Sequence, residues 1–185
     1  MTLTDLKDEV VYLIGGEEVN LMTIYKFVNK AMDTLANRYD TACTKKTASV
    51  VCTDCADEYS LPADCIGVYK VENSSGDKYK AYLISDGSIS FGYTDTFSLG
   101  YYAIPTMTTR TATDTAIKTD TLPINSNFNK CIAKYIAGEV LKIYNPKDVR
   151  ISVYTDDFIQ EAKEADARLK RMKRKNMRIK APYWG

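Results

Sequence analysis

The chain has 185 residues, with 25 basic and 24 acidic side chains, five cysteines and no histidine. That length suits one domain, or one domain carrying an inserted module, and such a chain buries roughly 70% of its unfolded surface without needing disulfides or metal. The 45% apolar and 26% charged fractions exclude a fully disordered or fibrous chain, and the longest apolar run, Val10–Ile14, is far short of the ~20 residues that span a bilayer.

In chain order, Thr2 and Asp5 form a capping-box pattern ahead of Leu3, Leu6, Val10, Leu13 and Ile14, and Gly15-Gly16 stops that helix. Asn20 caps a second helix whose face is Leu21, Ile24, Val28, Met32, Leu35 and Tyr39, a span of about 31 Å at 1.5 Å per residue. Residues 1–40 therefore read as an antiparallel helical hairpin. From about residue 46 the period becomes two. Ser49–Cys52, Glu58–Leu61 and Ile66–Glu72 are predicted strands. Asn73–Asp77 is turn chemistry with Tyr79–Ile84 returning from it, and Asp86-Gly87 turns into Ser88–Tyr93. Leu99–Ile104 is the last strand before Pro105. Residues 106–121 hold eight threonines in sixteen positions and read as an exposed hairpin or an extended loop, not as core.

Helical period returns after Leu122-Pro123. Phe128, Ile132, Tyr135, Ile136, Val140 and Ile143 line a helix over about 125–144, and Asn145-Pro146 ends it and starts the next. The final helix, about 148–176, carries Ile151, Phe158, Ala162, Ala165, Leu169 and Met172 as a narrow seam. Its ~42 Å matches the whole diameter of a compact chain with a radius of gyration near ~16 Å, so part of it is expected to project. The fold class is α+β: a helical scaffold from both chain ends (1–40 and 122–178), an inserted antiparallel β module (44–121) and a projecting C-terminal arm (168–185).

Without histidine there is no Ser-His-Asp or Cys-His catalysis and no imidazole-ligated metal. Neither Gly-x-Gly-x-x-Gly nor Gly-Lys-Ser/Thr occurs, and the acidic pairs Asp8/Glu9, Glu17/Glu18 and Asp156/Asp157 read as solvated charge. The sequence predicts a protein that is not an enzyme and carries no cofactor. Cys43, Cys52, Cys55 and Cys65 cluster around one Cys-x-x-Cys, which invites zinc. The outer two cysteines are isolated, however, and reduced structural thiols are the expected state. The N-terminus, with acids where a signal peptide has bases, predicts a soluble protein not exported by that route.

Net charge conceals an asymmetry. Arg168, Lys170, Arg171, Lys173, Arg174, Lys175, Arg178 and Lys180 give residues 168–185 a charge of +8, leaving 17 bases against 24 acids, or −7, for the rest. The arm ends in Pro182-Tyr183-Trp184-Gly185, and Trp184 is the only tryptophan. Bases that steer and aromatics that bury are the composition of a protein-docking arm.

Leu61-Pro62-Ala63-Asp64-Cys65-Ile66, then Leu99-Gly100-Tyr101-Tyr102-Ala103-Ile104-Pro105 with a Thr/Asp-rich stretch, Leu122-Pro123 and the helix from Phe128 to Ile143, together resemble the head–tail adaptor (connector) proteins of tailed bacteriophages. Where those proteins often carry a histidine at the start of the helix after Leu-Pro, this chain has Phe128-Asn129. The resemblance implies a virion structural protein of the neck between capsid and tail, made in the host cytoplasm. It implies a homo-oligomeric ring of twelve copies under the portal protein, which gives a tail, nozzle or tail-completion protein its docking surface. Double-stranded DNA would pass through the channel without sequence-specific binding, and no membrane is involved. In a ring the contacts are heterologous, and the seam of the last helix and the exposed side of the first hairpin are candidate faces. The rival from another class is a nucleic-acid-binding regulator or packaging factor that sets the basic tail on phosphates, although no base-reading motif accompanies it.

Overall fold

A computed structural model describes residues 1–107 and 120–179, with side chains as far as Lys173. The chain is α+β and divides into two compact units: Met1–Ala42 with the described part of Pro105–Gly185, and Cys43–Ile104.

The helical unit contains α1 (Leu3–Ile14), α2 (Leu21–Ala36), α3 (Asn129–Tyr144) and α4 (Arg150–Ile179), with 3-10 turns at Asp40–Ala42 and Ser126–Phe128. The expected capping box closes α1: the Asp5 N–H donates to Thr2 Oγ1 at 3.1 Å and the Thr2 N–H to Asp5 Oδ2 at 2.8 Å. Gly15, in the left-handed region at φ 98°, ends it. Asn20 Oδ1 caps α2 by accepting the Met22 N–H at 2.8 Å. That helix stops at Ala36, shorter than the sequence suggests. The amides of Arg38 and Tyr39 both fold back onto the Leu35 carbonyl, and the Asn37 side chain bonds the Asp33 carbonyl, so the last turn tightens and the chain leaves. The core is built from Leu3, Leu6, Val10 and Ile14 of α1, Ile24, Val28, Met32 and Leu35 of α2, Ile132, Ile136 and Val140 of α3, and Phe158, Ala162 and Ala165 of α4. Ile143, predicted on the buried face of α3, is exposed. The entry to α3 is a 3-10 turn rather than the start of the predicted helix.

The β unit holds β1 (Thr44–Cys52), β2 (Tyr59–Ser60), β3 (Cys65–Glu72), β4 (Tyr82–Ser85), β5 (Ser88–Phe91) and β6 (Asp95–Ala103). They form two antiparallel three-stranded sheets, β1-β6-β3 and β2-β5-β4. In β6 the alternation Phe97, Leu99, Tyr101, Ala103 is buried, and Phe97 stacks on Phe91 of the second sheet with ring centroids 4.0 Å apart. Asp86 (φ 44°) and Gly87 (φ 80°) make the tight β4–β5 hairpin the Asp-Gly pair predicts. The expected return strand Tyr79–Ile84 needs correction. After the Asn73–Asp77 turn only one bridge forms, Glu72 to Lys78, and Tyr82–Ser85 pairs with β5 instead. The Tyr79 amide still donates to the Val71 carbonyl of β3 at 2.9 Å, but its ring packs against Phe97 (4.9 Å) and Tyr93 (5.1 Å) and its hydroxyl accepts the Gly92 N–H, and the chain leaves the β3 edge after it. Of the threonine-rich stretch, positions 108–119 lie outside the described residues. Met107, inside the stretch expected to stay out of the core, is buried in the helical core with its amide on the Asn29 side chain, which corrects that expectation at its first residues; Leu122, on the far side, is buried there too.

Candidate functional site

The C-terminal helix α4 is held at its start by chemistry the sequence scarcely advertises. Asp148 Oδ1 accepts the Arg150 N–H at 2.9 Å, and both Asp148 oxygens grip the Arg150 guanidinium at 2.7–3.2 Å. The Arg150 side chain holds the Asp148 carboxyl below the usual carboxylate range. The same guanidinium donates to the Ile14 carbonyl at 3.1 Å, and the Tyr154 hydroxyl donates to that of Leu13 at 2.7 Å. Orphan carbonyls at the end of α1 are thus satisfied by the first turns of α4.

Further along, the predicted seam is spent inside the unit. Phe158, Ala162 and Ala165 are buried, and Phe158 packs on Tyr135 at 5.0 Å. Lys134 of α3 pairs with Asp157, and with Glu161 at 3.2 Å; the Asp157 hydrogen bond raises its pKa against the opposing effect of burial. The seam up to Leu169 is therefore an intramolecular face, and of its predicted members only Met172 is exposed.

The last anchor is Asp166, the one charged side chain buried among the described residues. It accepts the Thr41 hydroxyl at 2.7 Å and the Lys170 ammonium at 2.9 Å, and Lys170 also lies 3.8 Å from Asp40. Two of the eight predicted arm bases are thereby turned back on the body: Lys170 in this cluster, and Arg168 on Glu164 at 3.3 Å. Arg171 and Lys173 are exposed on the helix. Arg174, Lys175 and Arg178 lie on its helical backbone, with side chains outside the described residues, and Lys180, Pro182, Tyr183 and Trp184 lie wholly outside them. The Asp166/Thr41/Asp40 cluster was missed by sequence reasoning; its only local signal is the four-residue spacing of Asp166 and Lys170.

One end of the helical unit carries exposed apolar side chains: Tyr12 (80% exposed) at the end of α1, Ile143 and Tyr144 at the end of α3, and Val149 (79%) and Val153 at the start of α4. All five cysteines are free thiols. Cys52 is buried in the β unit and its thiol faces the Asp54 carbonyl at 3.5 Å, whereas Cys131 is buried in the helical unit with its thiol on the Phe128 carbonyl at 3.0 Å. Among the described residues no three His, Cys, Asp or Glu side chains come together to hold a metal, and no helix is long and apolar enough to cross a membrane. No protein-family model and no curated protein matches the chain.

Proposed function

We propose that the chain is a head–tail adaptor of a tailed bacteriophage, a non-enzymatic virion protein that assembles as a ring beneath the portal and continues the DNA channel into the tail. The observation that carries this reading is the organisation of α4. Its first five turns are locked into the body by Arg150, Tyr154, Phe158 and Asp166, and the same helix continues beyond Leu169 into a basic segment in which, among the described side chains, Lys170 turns back to Asp166 and Asp40 while Arg171 and Lys173 are exposed. A rigid root with a charged continuation is how a scaffold presents an arm to a partner, here the portal protein, with Tyr183 and Trp184 as the buried anchor. The apolar end made by Tyr12, Ile143, Tyr144, Val149 and Val153 supplies the protomer contact in place of the α4 seam. Because Arg168 and Lys170 spend their charge on Glu164, Asp166 and Asp40, the arm has fewer bases for phosphates than its composition suggests, which favours a protein partner over a regulator acting on DNA.

Mixing the purified chain with a portal protein from the same phage, followed by electron microscopy, tests this. A ring stacked on the portal is expected, with the chain alone a monomer or weak oligomer at micromolar concentration. Absence of any complex would refute the adaptor reading, and a stable large ring without portal would refute the template dependence.

A further inference from the structure

The outer face of the β1-β6-β3 sheet carries an arrangement that folding alone does not require. Lys45 of β1 pairs in register with Tyr102 of β6, which in turn faces Gly67 of β3. Between Val68 and Lys70 the β3–β6 register slips, so Tyr69 is the bulged residue and its ring is thrown over Gly100. Gly100 makes that possible, since a Cβ there would lie 2.9 Å from Tyr69 Cζ. The Tyr69 and Tyr102 rings meet at 4.9 Å and 44°, and Lys45 Nζ stands 4.8 Å from the first centroid and 5.8 Å from the second. Tyr69 remains 38% exposed.

An open cleft at Tyr69 is lined also by Lys70, Lys78, Lys80, Tyr79 and Tyr82, with no carboxylate among its described lining residues. Lys70 is neutralised by Glu72 at 2.6 Å. Lys45, Lys78 and Lys80 are exposed and make no ion pair among the described residues. The module as a whole has five lysines against eight carboxylates, so four of its five bases lying along one aromatic track is a concentration against the local average.

From this placement we infer that the track binds a single strand of nucleic acid, with phosphates on Lys45, Lys78 and Lys80 and a base stacked at Tyr69 and Tyr102. Exposed rings reward unpaired bases, which a duplex does not offer, and interleaved lysines follow the backbone between them. The site stands apart from the adaptor reading and needs neither ring nor portal.

Fluorescence anisotropy of the full-length chain with a labelled 16-nucleotide oligo-dT, across a salt series, tests it. Three lysine–phosphate contacts give a log–log salt slope of about −2 for a single strand. The Lys78→Ala/Lys80→Ala variant should bind about tenfold more weakly at low salt, with the slope falling to roughly −0.7. Tyr69→Ala should lose about tenfold with the slope kept, because stacking releases no counterions. Circular dichroism of each variant confirms its fold, and the lysine pair, fully on the surface, keeps the test valid if Tyr69→Ala misfolds. Binding with a slope near −6 that ignores the Lys78/Lys80 change would place the strand on the C-terminal bases and overturn the inference. So would duplex bound as tightly as oligo-dT, or no binding at low salt.

Discussion

The Asp166 carboxylate and the Thr41 hydroxyl, 125 positions apart in the sequence, share a 2.7 Å hydrogen bond that ties the middle of α4 to the turn after α2. Asp166 is only 9% exposed, and the Thr41 hydroxyl and the Lys170 ammonium supply the polar partners that its burial demands. Beyond this point α4 has no buried residue among those described. The bond thus lies within one turn of Leu169, the last described residue of α4 that packs against the core.

Removing it should therefore be felt as stability. Asp166→Ala strips Thr41 and Lys170 of their shared partner at a cost of about 1–3 kcal/mol, a fall in Tm of roughly 2–10 °C for a chain of this size. Asp166→Asn keeps an acceptor for Thr41 and loses only the ion pair, so it should fall between wild type and alanine. Calorimetry on the three proteins checks the order, and an unchanged Tm for Asp166→Ala would show that α4 is held by its apolar seam alone.

What the sequence revealed follows from which forces are local. The capping box at Thr2/Asp5, the Asn20 cap and the Asp86-Gly87 hairpin are decided within a few residues, and each appears where its chemistry places it. The departure of the chain from β3 after Tyr79 follows the Phe97 and Tyr93 rings, which no local pattern encodes, and the short end of α2 rests on bonds back to Leu35 and Asp33 that apolar periodicity does not register. The same holds for the candidate sites. The eight bases of residues 168–185 are visible as composition, yet that Lys170 turns back to Asp40 and Asp166 depends on where α2 ends. The platform of Lys45, Tyr69 and Tyr102 depends on a one-residue bulge opposite Gly100, and a slip of register has no signature in alternation.

Acid should weaken the helical unit in a defined window. Burial pushes the Glu139 pKa up, but hydrogen bonds from Lys142 (2.5 Å) and Lys30 (2.9 Å) outweigh it and leave the carboxyl below its ordinary range; Asp148 is lowered by Arg150. A depressed carboxylate contributes stability that is complete above its unfolded pKa, near 4, and is lost as pH falls through the folded value. The expected result is a Tm that is level from neutrality to about pH 5 and declines below about pH 4. Glu139→Gln should make that decline shallower. A Tm that instead rises on acidification would contradict the assignment of these pairs.

The thiols should separate by burial. Desolvation, with the Glu161 charge adding to it, pushes the Cys131 thiol up to about 12, so almost none is thiolate at pH 8. Exposed Cys55 should react promptly with a thiol reagent in the native protein, while buried Cys52 and Cys131 should wait for unfolding. All five should titrate in denatured, reduced protein, and mass spectrometry should find no stoichiometric zinc. About one zinc per chain, with loss of folding on chelation, would overturn this and make the cysteine cluster structural.

The arm is where the two functional readings part. If it docks on the portal, the bases steer approach and Tyr183 with Trp184 supply the contact that holds, so charge removal should slow association and leave dissociation unchanged. Deleting Pro182–Gly185 should abolish particle completion with Tm unaltered, because the core is closed by residues up to Leu169. If the arm instead lies on duplex DNA, affinity should fall with salt at a log–log slope approaching −7 for eight phosphate contacts, and Trp184 should matter little, since a paired duplex offers no base to stack on it. A salt titration on duplex with the full chain, and with Trp184→Ala, separates the cases. Weak duplex binding together with loss of portal capture in Trp184→Ala is the expected pair of results. Tight duplex binding at that slope, indifferent to the substitution, would sink the portal-docking arm and leave α4 as the root of a DNA-binding tail.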